Sequence, residues 1–238
     1  VVCSQMGWIR AMTGHIDLTR EMKFKDGDAP RFIFHAETTD KLLVFGTNGR
    51  FYTVVAANLP GGRGMGEPLR LMVDLPNEAD IVDILVHQPG MRLIVASDEG
   101  NGFIVPENDI IAQTRTGKQV LNVGDGVAKA CIRMNGDHVA VVSENAKLLV
   151  FATDELPEMG RGKGVRLQKY KKAAGRQGTL EIDGGLCDLT TFQWADGLSW
   201  QMGGGKTRTE PDMAEWKGAR GGVGKRPPHG FPKNNKFS

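Results

Sequence analysis

Cysteine is scarce in this 238-residue chain: Cys3, Cys131 and Cys187 are the only three, scattered and odd in number. That spacing excludes a disulfide scaffold and reads as reduced, buried and cytosolic thiol. The five histidines, His15, His35, His87, His138 and His229, show no HxxxH or Cys/His spacing, so no metal site is expected. The five serines include no GxSxG nucleophile turn. No apolar run approaches the ~20 residues a membrane-spanning helix needs, and no signal peptide is visible. The chain opens on Val1-Val2-Cys3-Ser4 without an initiator methionine, which reads as mid-strand and as a piece of a longer polypeptide. Gly203-Gly204-Gly205-Lys206-Thr207 looks like the end of a phosphate-binding loop. The first glycine of that motif would fall on Trp200, however, and Pro211 breaks any following helix. The acidic pairs Asp98-Glu99 and Asp154-Glu155 fall in expected turns, where solvated turn chemistry explains them. No catalytic centre is expected.

Glycine, by contrast, is abundant, with 32 residues against 11 prolines, and 40% of the chain is hydrophobic. This composition favours many short strands joined by tight turns. One unit recurs: an apolar strand, a tight turn, a second apolar strand, then a loop rich in glycine and basic residues. The turns are expected at 7, 49, 102, 146 and 197, spaced by 42, 53, 44 and 51 residues, the size of a propeller blade. Asn48-Gly49, Asn101-Gly102 and Asp196-Gly197 suit type I′ hairpin turns, whose two central residues both need positive φ. Ala146 breaks the pattern and predicts a looser fourth turn. The expected fold is therefore all-β and propeller-like, with about five four-stranded blades near 1–38, 39–88, 89–135, 136–185 and 186–226. The basic residues 227–238 are expected to form a flexible tail. A sandwich with regularly spaced hairpins is the alternative.

The net charge of +2 hides a segregation. Met159–Arg176 holds seven basic residues and Lys217–Ser238 six, and neither window contains an acid. The rest carries 17 basic residues against all 28 acidic ones. Segregation of this kind suits a polyanion-facing surface. Glycines would let the loop backbone approach a phosphate strand, while Arg and Lys supply charge and hydrogen bonds. The candidate DNA-binding residues are Arg50, Arg63, Arg70, Arg115, Lys118, Arg161, Lys163, Arg166, Lys169, Lys171, Lys172, Arg220, Lys225 and Arg226. Loops placed once per blade would form a curved cationic track able to hold a bent duplex through weakly specific, salt-sensitive contacts. A propeller that scaffolds proteins and touches no DNA is the competing reading.

Three segments carry a family resemblance. Thr47-Asn48-Gly49-Arg50-Phe51-Tyr52 is followed by Leu59-Pro60-Gly61-Gly62-Arg63-Gly64-Met65-Gly66-Glu67-Pro68-Leu69. Ala96-Ser97-Asp98-Glu99-Gly100-Asn101-Gly102-Phe103 precedes Ala112-Gln113-Thr114-Arg115-Thr116-Gly117-Lys118. Leu156-Pro157 leads into Gly160-Arg161-Gly162-Lys163-Gly164. These resemble the C-terminal domains of bacterial type IIA topoisomerase A subunits, those of topoisomerase IV above all, and the similarity runs well over about residues 1–195. The resemblance implies a β-pinwheel, closed or broken, whose blades exchange strands. It also implies a role in presenting bent DNA to a catalytic core for decatenation and relaxation. On that reading ATP and Mg belong to other domains, and this chain needs no cofactor. The family's nucleophilic tyrosine lies in the preceding catalytic region, and Tyr52 and Tyr170 do not match it. Implied partners are duplex DNA, the topoisomerase IV B subunit through the rest of the parent chain, and the condensin hinge. The isolated domain is expected to be a monomer, in a cytoplasmic, nucleoid-associated setting. Gyrase A subunits carry a QRRGGKG-type box, to which Gly160–Arg166 and Gly218–Arg226 are only loosely similar. That favours bending over chiral wrapping, with the gyrase counterpart as the alternative.

Overall fold

A computed structural model describes residues 1–174 and 180–238, apart from the side chains at 172–174 and 180–183. Among the described residues there is no α-helix; strands alternate with single turns of 3-10 helix. Contacts divide the chain into two compact units. One is Val1–Gly90 with Glu107–Val120, and the other is Met91–Pro106 with Leu121–Ser238.

Each of the first four hairpins begins with a strand buried on both faces. In the first unit these are β1 (Val2–Ser4) with β2 (Trp8–Arg10), and β4 (Lys41–Gly46) with β5 (Arg50–Val55). In the second they are β8 (Arg92–Ser97) with β9 (Asn101–Pro106), and β12 (His138–Ser143) with β13 (Leu148–Ala152). Continuous apolar runs such as Leu42-Leu43-Val44-Phe45 and Val139-Ala140-Val141-Val142 fit strands with no solvent-facing side. Successive sheets of one unit share an apolar cluster: Cys3 and Ile9 with Leu42, Tyr52 and Ile84 in the first unit, and Ile94 with Val141, Phe151 and Leu189 in the second.

The turns are more uniform than expected, and of a different type. Gly7 N–H donates to Ser4 O at 3.0 Å, Gly49 to Gly46 at 2.9 Å, Gly100 to Ser97 at 2.9 Å and Ala146 to Ser143 at 3.0 Å. Only the last residue of each set has positive φ, so this is a type I turn closed by a left-handed residue rather than type I′. The third turn glycine is Gly100; Asn101-Gly102, expected there, begins β9. Ala146 adopts φ 55° and makes the same tight turn as the glycines, so the fourth turn is not looser. A side chain reinforces each turn. Ser4 Oγ accepts Trp8 N–H at 3.1 Å, Ser97 Oγ accepts Asn101 N–H at 3.3 Å, and Ser143 Oγ accepts Lys147 N–H at 3.0 Å. Where the second hairpin has Gly46 instead, Asn48 Oδ1 accepts Arg50 N–H at 3.2 Å.

The sheets are completed from both directions in the sequence. On one side β3 (Pro30–Ile33) pairs with β1, β7 (Ile81–Val86) with β4, β11 (Ala128–Arg133) with β8, and β17 (Leu186–Phe192) with β12. On the other side a two-residue strand returns from beyond the next hairpin. β6 (Glu67–Pro68) pairs with β2, β10 (Lys118–Gln119) with β5, and β14 (Val165–Arg166) with β9. Lys225 bridges back to Leu148 in β13 in the same way. The result is three four-stranded antiparallel sheets and a three-stranded one. Two strand pairs stand apart from these: β15 (Lys171–Ala174) with β16 (Leu180–Asp183), and β18 (Leu198–Met202) with β19 (Lys206–Glu210).

Two expectations need correction at the C-terminal end. The fifth hairpin is β18–β19, turning at Gly203-Gly204-Gly205; Gly197 lies in the link between β17 and β18. The phosphate-loop lookalike is thus a hairpin turn, with Lys206 opening a strand. Residues 227–238 do not form a free tail. Phe237 is buried beside Phe231 and Trp200, its N–H donates to Asp188 Oδ2 at 2.8 Å, and its carbonyl accepts Gln201 N–H at 2.8 Å. Two apolar rings outweigh the glycine and proline content that suggested disorder.

Candidate nucleic-acid interface

The glycine- and cation-rich loops are the segments that carry the returning strands, and their geometry follows from that crossing. Each contains a glycine of positive φ pressed against the preceding hairpin. A Cβ on Gly164 would lie 2.3 Å from Gly102 O, and one on Gly66 would lie 2.4 Å from Ile9 O. Gly117 and Gly224 meet Phe51 O and Leu148 O in the same way. At these positions the backbone needs glycine to approach its own sheet, not a phosphate strand. Immediately downstream, Leu69, Val120 and Leu167 are buried, and their N–H groups donate to the carbonyls of Gly7, Gly49 and Gly100 at 2.7–3.1 Å.

Within each unit two such loops are stitched side by side. In the first unit Asp74 N–H donates to Arg115 O at 2.8 Å, Arg115 Nη2 donates to Leu71 O at 2.7 Å, and Arg115 Nε lies 3.5 Å from the Asp74 carboxylate. In the second, Arg220 donates to Glu155 O at 3.0 Å and Arg166 O at 2.7 Å. Lys169 N–H reaches Gly222 O at 2.9 Å, and Gly221 N–H reaches Leu167 O at 2.8 Å. The buried amide of Gln168 joins Lys147 O and Val223 O at 2.8 and 2.9 Å. The two acid-free windows, far apart in sequence, thus share one surface of this unit.

Thirteen of the fourteen candidate residues have described side chains, and these differ in what they already hold. Arg50 donates to Thr116 O at 3.0 Å and Gln119 Oε1 at 3.2 Å, which clamps β10 to β5. Arg70 donates to the carbonyls of Leu75, Pro76 and Ala79. Lys118 donates to Asp109 O. With Arg115 and Arg220, these cations hold loops in place. Lys163 pairs with Glu99 at 3.3 Å on the surface. Arg63, Arg161, Arg166, Lys169, Lys171, Lys225 and Arg226 are exposed, and their side chains have no hydrogen bond or ion pair among the described residues. The side chain of Lys172 lies outside the described residues, as does Arg176.

Sequence reasoning missed Arg10. It is 5% exposed, and it joins the return loop to the excursion between β2 and β3 by donating to Gly64 O and, at 2.7 Å, to Lys23 O. Nothing in the local charge pattern marks it. Among the described residues no group of three or more His, Cys, Asp or Glu is arranged to hold a metal ion. Tyr52 is fully buried, and its hydroxyl accepts Asn48 Nδ2–H at 2.8 Å. Burial pushes the Tyr170 phenol well above its ordinary range.

These interlocked hairpins have known counterparts. The family model for the DNA gyrase C-terminal domain, a β-propeller, matches residues 40–88, 92–129 and 137–174. The chain belongs to that family. Within it, the chain is 47% identical over 239 residues to the DNA topoisomerase 4 A subunit of Rickettsia bellii, covering 100% of this chain and 31% of the relative. It is 44% identical over 237 residues to that of Caulobacter vibrioides, with 100% and 30% covered. The chain therefore spans about a third of the length of the curated relatives it matches. The solved C-terminal domain of E. coli ParC superposes with a TM-score of 0.80 at 26% identity, covering 98% of this chain and 94% of that one. The gyrase A C-terminal domain, at TM-score 0.59 and 16% identity over 94% and 75%, shares the fold. As a member of this family the chain is an all-β pinwheel, homologous to part of the A subunit of bacterial topoisomerase IV. The expected exchange of strands between blades is present as β6, β10 and β14.

Proposed function

We propose that this domain binds duplex DNA through its phosphates, bends it, and presents the segment to the catalytic core of a topoisomerase IV for decatenation and relaxation. The observation that carries the reading is the contrast within the return loops. One set of cations is spent on holding the loops rigid, and a second set, Arg63, Arg161, Arg166, Lys169, Lys225 and Arg226 among them, stands exposed without internal partners. Preorganised cations on a fixed backbone suit sugar-phosphate contacts, which position a duplex without reading its sequence. Bending a ~20–30 bp site by 40–90° costs on the order of 1–6 kcal/mol, which several distributed contacts offset. On this reading the domain has no catalytic centre of its own. ATP and Mg act elsewhere in the parent enzyme, the B subunit joins through the rest of the parent chain, the condensin hinge is a further partner, and the setting is cytoplasmic.

The test is a salt titration of duplex affinity. Log K should fall linearly with log salt, by about 0.9 per phosphate neutralised. Replacing Arg161 and Arg166 by alanine should reduce that slope by up to about two units. Lys163, already paired with Glu99, should add less. A flat dependence in the unaltered chain would favour a protein scaffold. Electrophoretic bend measurement and minicircle linking number then separate simple bending from gyrase-type wrapping.

A further inference from the structure

The first unit contains a basic concavity that the blade repeat does not require. It has a volume of about 340 Å³ and lies between the excursion that follows β2 and the return loop at Gly62–Met65. Four cations line it, Arg10, Arg20, Lys23 and Arg63, against a single carboxylate, that of Glu21. Of these, Arg10 is buried. Its outer nitrogens go to the carbonyls of Gly64 and Lys23, its Nε has no partner, and it makes no ion pair. Buried charges are ordinarily paired, because an uncompensated ion in a poorly solvated site is costly. Here the protein supplies carbonyl dipoles and, 5.7 Å away, the face of the Phe24 ring, but no counter-ion, which points to an anion from outside. Arg20, Lys23 and Arg63 are exposed, and their side chains have no bonded partner among the described residues. Met12, Met22 and Met65 supply the apolar part of the lining. By tying Lys23 to Gly64, Arg10 holds both sides of the mouth in place before anything binds.

We propose that this concavity is a phosphate-binding pocket that seats one phosphodiester of the duplex, in addition to the contacts made by the exposed loop cations. Guanidinium and ammonium donors converging from several directions suit a tetrahedral phosphate. The assignment to a duplex rests on the DNA-binding reading above; the assignment to phosphate does not.

The experiment is the double variant Arg20→Ala, Lys23→Ala in the whole chain. Neither side chain holds the fold, so unchanged thermal unfolding is expected. Duplex affinity should fall about tenfold at moderate salt, and the salt slope should fall by about one unit. Bound duplex should also slow acylation of Lys23 while leaving Lys41, exposed at the start of β4, unaffected. If this variant matches the unaltered chain while Arg161→Ala, Arg166→Ala loses affinity, the pocket is overturned and the DNA reading stands. Inorganic pyrophosphate, titrated alone, distinguishes the remaining outcomes. Saturable pyrophosphate binding that the double variant abolishes, in a chain that binds no duplex, would keep the pocket for a free phosphate compound and overturn the DNA assignment. Binding of neither would end both.

Discussion

Replacing Gly164 by alanine separates two roles for the loop glycines. At φ 77° an L-residue costs roughly 1–2 kcal/mol. The added Cβ would sit 2.3 Å from Gly102 O and 2.8 Å from Phe103 Cδ1, and the first of these neighbours is backbone that cannot rotate aside. Relief requires β14 to lift from β9, straining the flanking bonds from Met159 N–H to Ile104 O and from Leu167 N–H to Gly100 O, each contributing about 1 kcal/mol. The sum is about 3–4 kcal/mol. At ~2–4 °C per kcal/mol for a chain of this size, the first thermal transition should drop by roughly 5–15 °C. Gly160, in the same loop, has open space where a Cβ would stand, with nothing within 4 Å, and no positive φ. Gly160→Ala should therefore stay within about 0.5 kcal/mol. Differential scanning calorimetry of both variants, with duplex affinity measured alongside, decides the matter. Equal, small thermal effects with a shared loss of DNA affinity would mean that the glycines serve phosphate access, and would refute the packing argument.

Two other outcomes follow from the docked C-terminal segment. Burial holds the Asp188 carboxyl above its ordinary value although Phe237 and Leu189 N–H groups donate to it. The resulting cost to folding is absent below the unfolded pKa, grows as pH rises toward the folded one, and is full beyond it. Stability of the natural chain should therefore fall as pH rises through that window. Asp188→Asn, whose single carbonyl oxygen can accept only one of the two N–H donors, should remove that pH dependence, and a pH profile left unchanged by the substitution would be the wrong result. Thiol alkylation of the native chain should modify Cys187 first. That thiol is half-buried under Asn234, whereas Cys3 is enclosed by its sheet and pushed up to about 12. Peptide mapping that finds Cys3 modified before Cys187 would contradict the packing described.

Much of the fold is legible in the sequence because hairpins are local. Apolar runs such as Leu42–Phe45 and Val139–Val142, followed by a turn, announce themselves within a dozen residues. Sequence and structure part company where a local signal competes with a register. Asn101-Gly102 has better turn chemistry than Glu99-Gly100, yet the bond to Ser97 O places the turn two residues earlier. Ala146 reads as an exception because propensity disfavours it there, but the Ser143 hydroxyl and its neighbours hold the backbone in place. The pairing of β6 with β2 links residues about sixty positions apart through a two-residue strand, and no periodicity is detectable over two residues. Charge counting finds the basic windows but cannot separate Arg220, bonded to carbonyls, from Arg161, which is not. That distinction depends on which backbone oxygens come within reach.

The returning strands make each hairpin a dependant of its successor. Deleting residues 137–174 would take away one hairpin and also leave β9, in the hairpin before it, with a raw edge where Val165 and Arg166 had lain. Shortening or swapping blades at the sequence period should therefore always wound a neighbour. The natural cutting points fall after a return strand, and a fragment ending at Leu167 keeps the third sheet whole where one ending at Arg133 does not.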